Sequence, residues 1–185
     1  DMGGSLSTFW RGAENFHHAG PDGMLWAVSQ AAPVRRVIVD KDLNLAQFVA
    51  GVGMGYASGG YVGNVQVGGA INSASQQQWC TRNAGIGTTW QGAVWNMVFI
   101  GTTGAPDHHC GLDGGFPHVS VPETPVIAEK PFITVDAAGK FALRVPPLQR
   151  ARVGFDFAPG RSVPFEKVYV ARDTDSAAEI NRHLA

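Results

Sequence analysis

Short runs in which apolar and polar residues alternate recur along the chain, separated by glycine, asparagine and proline rather than by segments of helical length. Residues 34–40, from Val34 to Asp40, form a β-rich run just after Pro33. Residues 59–69 read as a second run, 73–83 as a third and 93–101, the most apolar, as a fourth. Shorter strands are predicted over 6–10, 14–16 and 24–29, with Asn15, Asp22 and Gly23 as turn positions. A doubly wound α/β fold needs ten or more helical residues in each gap between strands, and these gaps offer almost none. Strands with glycine and asparagine at their ends suit successive rungs of a parallel β-helix, each stacked only on its neighbours.

Beyond residue 101 the pattern changes. Residues 102–125 read as one long loop, and loops of that length are often functional. Residues 130–146 hold two alternating runs joined at Ala137, Ala138 and Gly139, a β-hairpin signature. A final strand is predicted over 165–170. Asp175 is the predicted N-cap of a helix with an acidic first turn. That helix runs to the last residue, which predicts either a further C-terminal segment or a second chain that completes the fold. The expectation is a single mainly β domain over 1–185, the N-terminal part of a longer β-helix protein.

Composition narrows the function classes. The 185 residues are 44% apolar and 16% charged, with 24 glycines and no collagen-like period. A formal charge of −1 and a pI near 6.6 give no electrostatic case for nucleic acid or an anionic membrane. No apolar run reaches membrane-spanning length. Cys80 and Cys110 are the two cysteines, compatible with one disulfide or with two free thiols.

The chemistry concentrates at 73–83. Three amides, three hydroxyls, Trp79, Arg82 and Asn83 fall there without a carboxylate. In an extended strand, Ser75, Gln77, Trp79, Thr81 and Asn83 share one face, and Gln76, Gln78, Cys80 and Arg82 the other. Amide groups both donate and accept, which suits sugar hydroxyls, and Trp79 or Trp90 offers a ring to stack on a pyranose. Ser75, Gln77, Trp79, Arg82, Asn83 and Trp10 are therefore the candidate ligand-binding residues, with Arg82 and Trp79 expected toward solvent. The competing reading is an amide ladder between rungs.

Hydrolysis of a glycosidic bond requires two carboxyl groups flanking it. Glu14, Asp22, Asp107, Asp113, Glu123 and Glu129 are available, and none sits in a motif. Glu14 is the first candidate acid, because Trp10, Arg11 and Asn15 surround it with sugar-compatible groups. His17, His18, His108, His109 and Cys110 lack metal-ligand spacing, so neither a metal nor a cofactor is expected. No phosphate-binding glycine loop opens a helix.

Several blocks together carry a family resemblance. They are Ser7-Thr8-Phe9-Trp10-Arg11-Gly12-Ala13-Glu14-Asn15, Trp26-Ala27-Val28-Ser29-Gln30-Ala31-Ala32-Pro33-Val34-Arg35-Arg36, Ala57-Ser58-Gly59-Gly60-Tyr61, Ser75-Gln76-Gln77-Gln78-Trp79-Cys80-Thr81-Arg82-Asn83, Trp95-Asn96-Met97-Val98-Phe99 and Glu129-Lys130-Pro131-Phe132. The chain resembles secreted right-handed parallel β-helix proteins of the pectate-lyase-like superfamily and, more loosely, family 55 glucanase-like glycoside hydrolases. The resemblance implies a right-handed parallel β-helix, or part of one, with a hairpin insertion and a C-terminal helix. It implies an extracellular protein that acts on a polysaccharide or oligosaccharide, with residues 75–83 lining a groove and the general acid further along the family's chain. The alternative is a non-catalytic polysaccharide-binding or structural β-helix module.

Overall fold

Val34, Val62, Thr81, Phe99 and Ser120 occupy equivalent positions in adjacent parallel strands, and that stacking organises the fold. In the computed structural model, the described residues are 9–29, 32–51, 53–55, 57, 59–111 and 115–184; within strands, the side chains at 54, 75, 76 and 93–96 are not described. The chain forms two compact units where the sequence predicts one domain: residues 1–127 with 149–157, and residues 128–148 with 158–185.

In chain order the strands are β1 (Ala13–His18), β2 (Met24–Leu25), β3 (Pro33–Val39), β4 (Leu43–Asn44), β5 (Gln47–Val49) and β6 (Gly53–Gly55). Next come β7 (Gly60–Val67), β8 (Ile71–Arg82), β9 (Gly85–Ile86), β10 (Trp90–Ile100), β11 (His118–Val121) and β12 (Thr124–Ala128). The last are β13 (Phe132–Val135), β14 (Phe141–Val145), β15 (Leu148–Arg152) and β16 (Arg161–Pro164), followed by α1 (Ala177–Leu184). Phe9 and Trp10 lie outside any strand, and the rest of the strand predicted over 6–10 is outside the described residues. The predicted loop 102–125 contains β11 and the first residues of β12.

The first unit is a parallel β-solenoid of about 4 turns. Its first wall runs β1-β3-β7-β8-β10-β11. At the end of this wall Asn15, Arg36, Asn64 and Asn83 stack one above another with φ of 60°, 49°, 54° and 49°, and Gly101 continues the column at 55°. Asparagine tolerates this left-handed conformation better than most side chains, so Asn15, Asn64 and Asn83 turn their coils into the second wall, with Arg36 and Gly101 at the same corner of the other two. A third wall stacks Met24, Leu43, Ile71 and Trp90. Ala74 and Gly92, both left-handed, let β8 and β10 pass from the third wall into the first, where their register shifts.

The interior is apolar. Val34, Val37, Leu43, Leu45, Val62, Val65, Ile71 and Phe99 are all fully buried. Burial of such side chains contributes about 1.5–3 kcal/mol each and drives the stacking. Residues 149–157 lie as a strap along the asparagine corner. Asn64 Nδ2 donates to the Asp156 carbonyl at 2.7 Å, and the Asp156 N–H donates back to Asn64 Oδ1 at 2.6 Å. Asn83 Nδ2 donates to the Arg152 carbonyl at 3.0 Å while its Oδ1 accepts the Thr124 hydroxyl at 2.9 Å. The Gly154 N–H reaches the Gly101 carbonyl at 2.8 Å. The strap satisfies buried amides that would otherwise destabilise the corner.

The second unit is built on an antiparallel sheet, β13-β14-β16. Its hairpin turn is closed by Asp136, whose Oδ1 accepts the Ala138 and Lys140 N–H groups at 2.9 Å. Residues 165–167 form a 3₁₀ turn, not the predicted strand, because the Val168 N–H returns to the Phe165 carbonyl at 3.0 Å instead of reaching a neighbouring strand. The strand precedes it, at Arg161–Pro164. The cap of α1 is Ser176, whose Oγ accepts the Glu179 N–H at 3.2 Å, and not Asp175. Asp175 is engaged by the Tyr169 hydroxyl at 2.5 Å and the Arg172 N–H at 2.8 Å. Those bonds hold its carboxyl below the usual range and push Tyr169 up to about 12. Among the described residues no helix is long and apolar enough to cross a membrane.

Candidate functional site

The face split predicted for 73–83 is the one observed at the end of β8, with an interior that differs from expectation. Trp79, Thr81 and Asn83 are buried, while Gln78 is exposed and Cys80 and Arg82 are half-buried on the outer surface. Trp79 is 2% exposed and part of the core. It fits because its in-register neighbour is Gly60, where a Cβ would sit 3.0 Å from indole Cη2 and Cζ3. Trp79 is therefore not a sugar platform. Asn83 is also buried and fully committed to the strap and Thr124, so it is a corner residue and not a ligand contact. Trp90 packs edge-on against Phe99, ring centroids 5.0 Å apart.

The outer surface of the first wall carries the chemistry. Along one outward column, neighbouring strands place Glu14 beside Arg35, Arg35 beside Gly63, Gly63 beside Arg82 and Arg82 beside Ile100. The adjacent column places Pro33, Tyr61, Cys80 and Val98 side by side. Arg35 Cζ lies 4.3 Å and Arg82 Cζ 5.6 Å from the Tyr61 ring centroid. Both are cation–π distances. Cys80 reports the same environment: burial pushes its thiol up, and the guanidiniums of Arg82 and then Arg35 pull it partly back.

Glu14 is half-buried on this surface, with Trp10 exposed four residues earlier in the chain. Two strands intervene between Glu14 and Arg82. With strands about 4.8 Å apart, the structure places the candidate acid beside Arg35 and away from Arg82. Gln77 is half-buried, and Ser75 is described in its backbone alone. Asp22, Asp107 and Glu123 are exposed, Glu129 is half-buried in the other unit, and Asp113 lies outside the described residues. The alternation pattern does not single out Arg35 and Tyr61 as site residues. Their signal is the spacing Tyr61-x-Gly63 inside a strand, which leaves an aromatic ring free to lie over a glycine on its own face.

The 102–118 segment gathers polar side chains without forming a metal centre. Cys110 Sγ lies 3.6 Å from His108 Nε2, and the His109 and His118 rings stack with centroids 5.6 Å apart. They border a cavity of about 330 Å³ with Met97 and Val119. Among the described residues no three His, Cys, Asp or Glu side chains converge on one point. Cys80 and Cys110 are both free thiols.

This architecture, stacked parallel coils with a half-buried polar outer wall, places the chain among parallel β-solenoid proteins. No family model matches the sequence. The chain is 38% identical over 184 residues, 97% of its length, to an exo-beta-1,3-glucanase of Streptomyces sp. (strain SirexAA-E / ActE). Among solved structures it superposes on sacteLam55A from Streptomyces sp. SirexAA-E with a TM-score of 0.83 and 37% identity over 98% of the chain. A variant of sacteLam55A in complex with glucose gives 0.82 and 36%. The chain spans 29% of the curated glucanase and 32% of the solved chain. The resemblance to family 55 glucanase-like proteins thus holds in both sequence and fold.

Proposed function

We infer that this chain is the saccharide-holding solenoid of a glycoside hydrolase that acts on β-1,3-glucan outside the cell. The observation that carries this reading is the match to an exo-beta-1,3-glucanase across nearly the whole chain at 38% identity, with the same coil architecture. Its chemistry fits a neutral glucan: guanidinium N–H groups donate to sugar hydroxyls, and the net charge of −1 favours no polyanion. An extracellular site follows from the substrate class, because a polymeric glucan is met outside the cell.

Bond cleavage requires an acid to protonate the glycosidic oxygen and a second carboxylate to activate water or attack the anomeric carbon. On the outer wall Glu14 is the carboxylate in register with the arginines, and it is the residue assigned the acid role if cleavage occurs on this chain. The reading is tested by incubating the 185-residue chain with laminarin oligosaccharides and following both binding and glucose release. Binding is expected, and any release should disappear in Glu14→Gln. Release that survives this substitution removes Glu14 from the mechanism, and absence of binding overturns the reading. Binding without release favours the second reading, a non-catalytic glucan-binding module, which is supported by the single carboxylate in the arginine column.

A further inference from the structure

We propose that Tyr61 is a positioning residue that holds Arg35 and Arg82 apart as a two-pronged clamp for the hydroxyls of a glucan. The proposal rests on the glucan reading above and assigns the binding role within that site.

Arg35, Gly63 and Arg82 follow one another in the outward column. A Cβ at Gly63 would collide with Tyr61 Cε1 and come within 2.8 Å of its hydroxyl, so the Tyr61 ring lies over Gly63. It therefore fills the position between the two arginines, with Arg35 Cζ 4.3 Å and Arg82 Cζ 5.6 Å from its centroid. Two guanidiniums brought to one patch repel each other, and the negative faces of the ring offset that repulsion. With a guanidinium at each approach, the ring faces are taken, so Tyr61 is not itself a stacking platform for sugar.

Its effect is on the freedom of the arginines. A mobile arginine side chain carries a large rotamer entropy, and ordering two of them on binding weakens a complex. Arginines already stacked on Tyr61 present their forks at a spacing set by the coil repeat, one coil to either side of Gly63. A linear glucan laid across the coils would meet one guanidinium and then the next, each able to donate N–H groups to hydroxyl oxygens.

The test measures laminarin-oligosaccharide affinity of the full chain by calorimetry for wild type, Arg82→Ala, Tyr61→Phe, Tyr61→Leu and Gly63→Ala, with the arginine Nε–H signals followed by NMR. Phenylalanine keeps the ring and should bind within about twofold of wild type. Leucine should bind about fivefold more weakly and average the Arg35 and Arg82 Nε–H signals toward free arginine. Gly63→Ala, which lifts the ring without removing it, should weaken binding in the same direction and keeps the test decisive if Tyr61→Leu does not fold. Wild-type affinity in both Tyr61→Leu and Gly63→Ala, alongside weakened Arg82→Ala, overturns the proposal and leaves the glucan reading standing. Unchanged affinity in Arg82→Ala also overturns the proposal, whereas absence of laminarin binding in the wild-type chain overturns the glucan reading itself.

Discussion

The two faces of the first solenoid wall are built from the same strands and do opposite work. Inward, Val34, Val62, Thr81 and Phe99 stack in register with all four fully buried. Outward, one residue along, Arg35, Gly63, Arg82 and Ile100 stack in the same register, and the arginines keep partial contact with solvent. The inner column is held by area removed from water. The outer column is held by ring and charge contacts that contribute little to folding. Stacking of coils makes this division economical, because one register places a continuous core behind a continuous outer face.

Substitutions on the two faces should therefore separate stability from binding. Phe99→Ala empties a fully buried site that also packs against Trp90, and is expected to cost about 3–5 kcal/mol in denaturant unfolding. A cost below about 1 kcal/mol would mean that the coils are not held by this column. Asn83→Ala removes the Arg152 and Thr124 bonds at the corner. It should cost about 1–3 kcal/mol and raise amide exchange across the strap at 152–156. Exchange that rises elsewhere and not at the strap would contradict the corner's role.

On the outer face, Arg82→Ala should change stability by no more than about 0.5 kcal/mol while weakening saccharide binding. The same substitution shifts the neighbouring thiol. Arg82 favours the Cys80 thiolate, so its removal should raise the Cys80 pKa further and slow alkylation at fixed pH. An unchanged alkylation profile would show that the guanidinium does not reach the thiol.

The period-2 pattern makes the two faces of residues 73–83 legible in the sequence, because strand parity depends on local geometry alone. Which face points inward is not legible there. That choice depends on Val34, Val62 and Phe99 in other coils, and on Gly60 making room for Trp79, none of which local alternation encodes. The parallel solenoid follows from strands without intervening helices. The separate second unit does not, because its hairpin and helix read as decorations of one domain. Asn83 shows the same limit: asparagine chemistry suits sugar and a left-handed corner equally well, and φ of 49° with the Arg152 and Thr124 partners decides for the corner. Arg35 and Tyr61 become visible only when register brings them to Arg82.

The outer face around Arg35, Tyr61 and Arg82 is the proposed seat of a glucan chain. Cys80 lies within that face as a half-buried free thiol, and Cys110 lies on a separate exposed loop. Alkylation of both cysteines, resolved by peptide mass with and without saturating laminarin oligosaccharide, reads the claim directly. Saccharide is expected to slow modification of Cys80 severalfold and to leave Cys110 unchanged. Equal Cys80 rates with and without saccharide, under conditions where binding is independently measured, would place the glucan elsewhere and contradict that expectation.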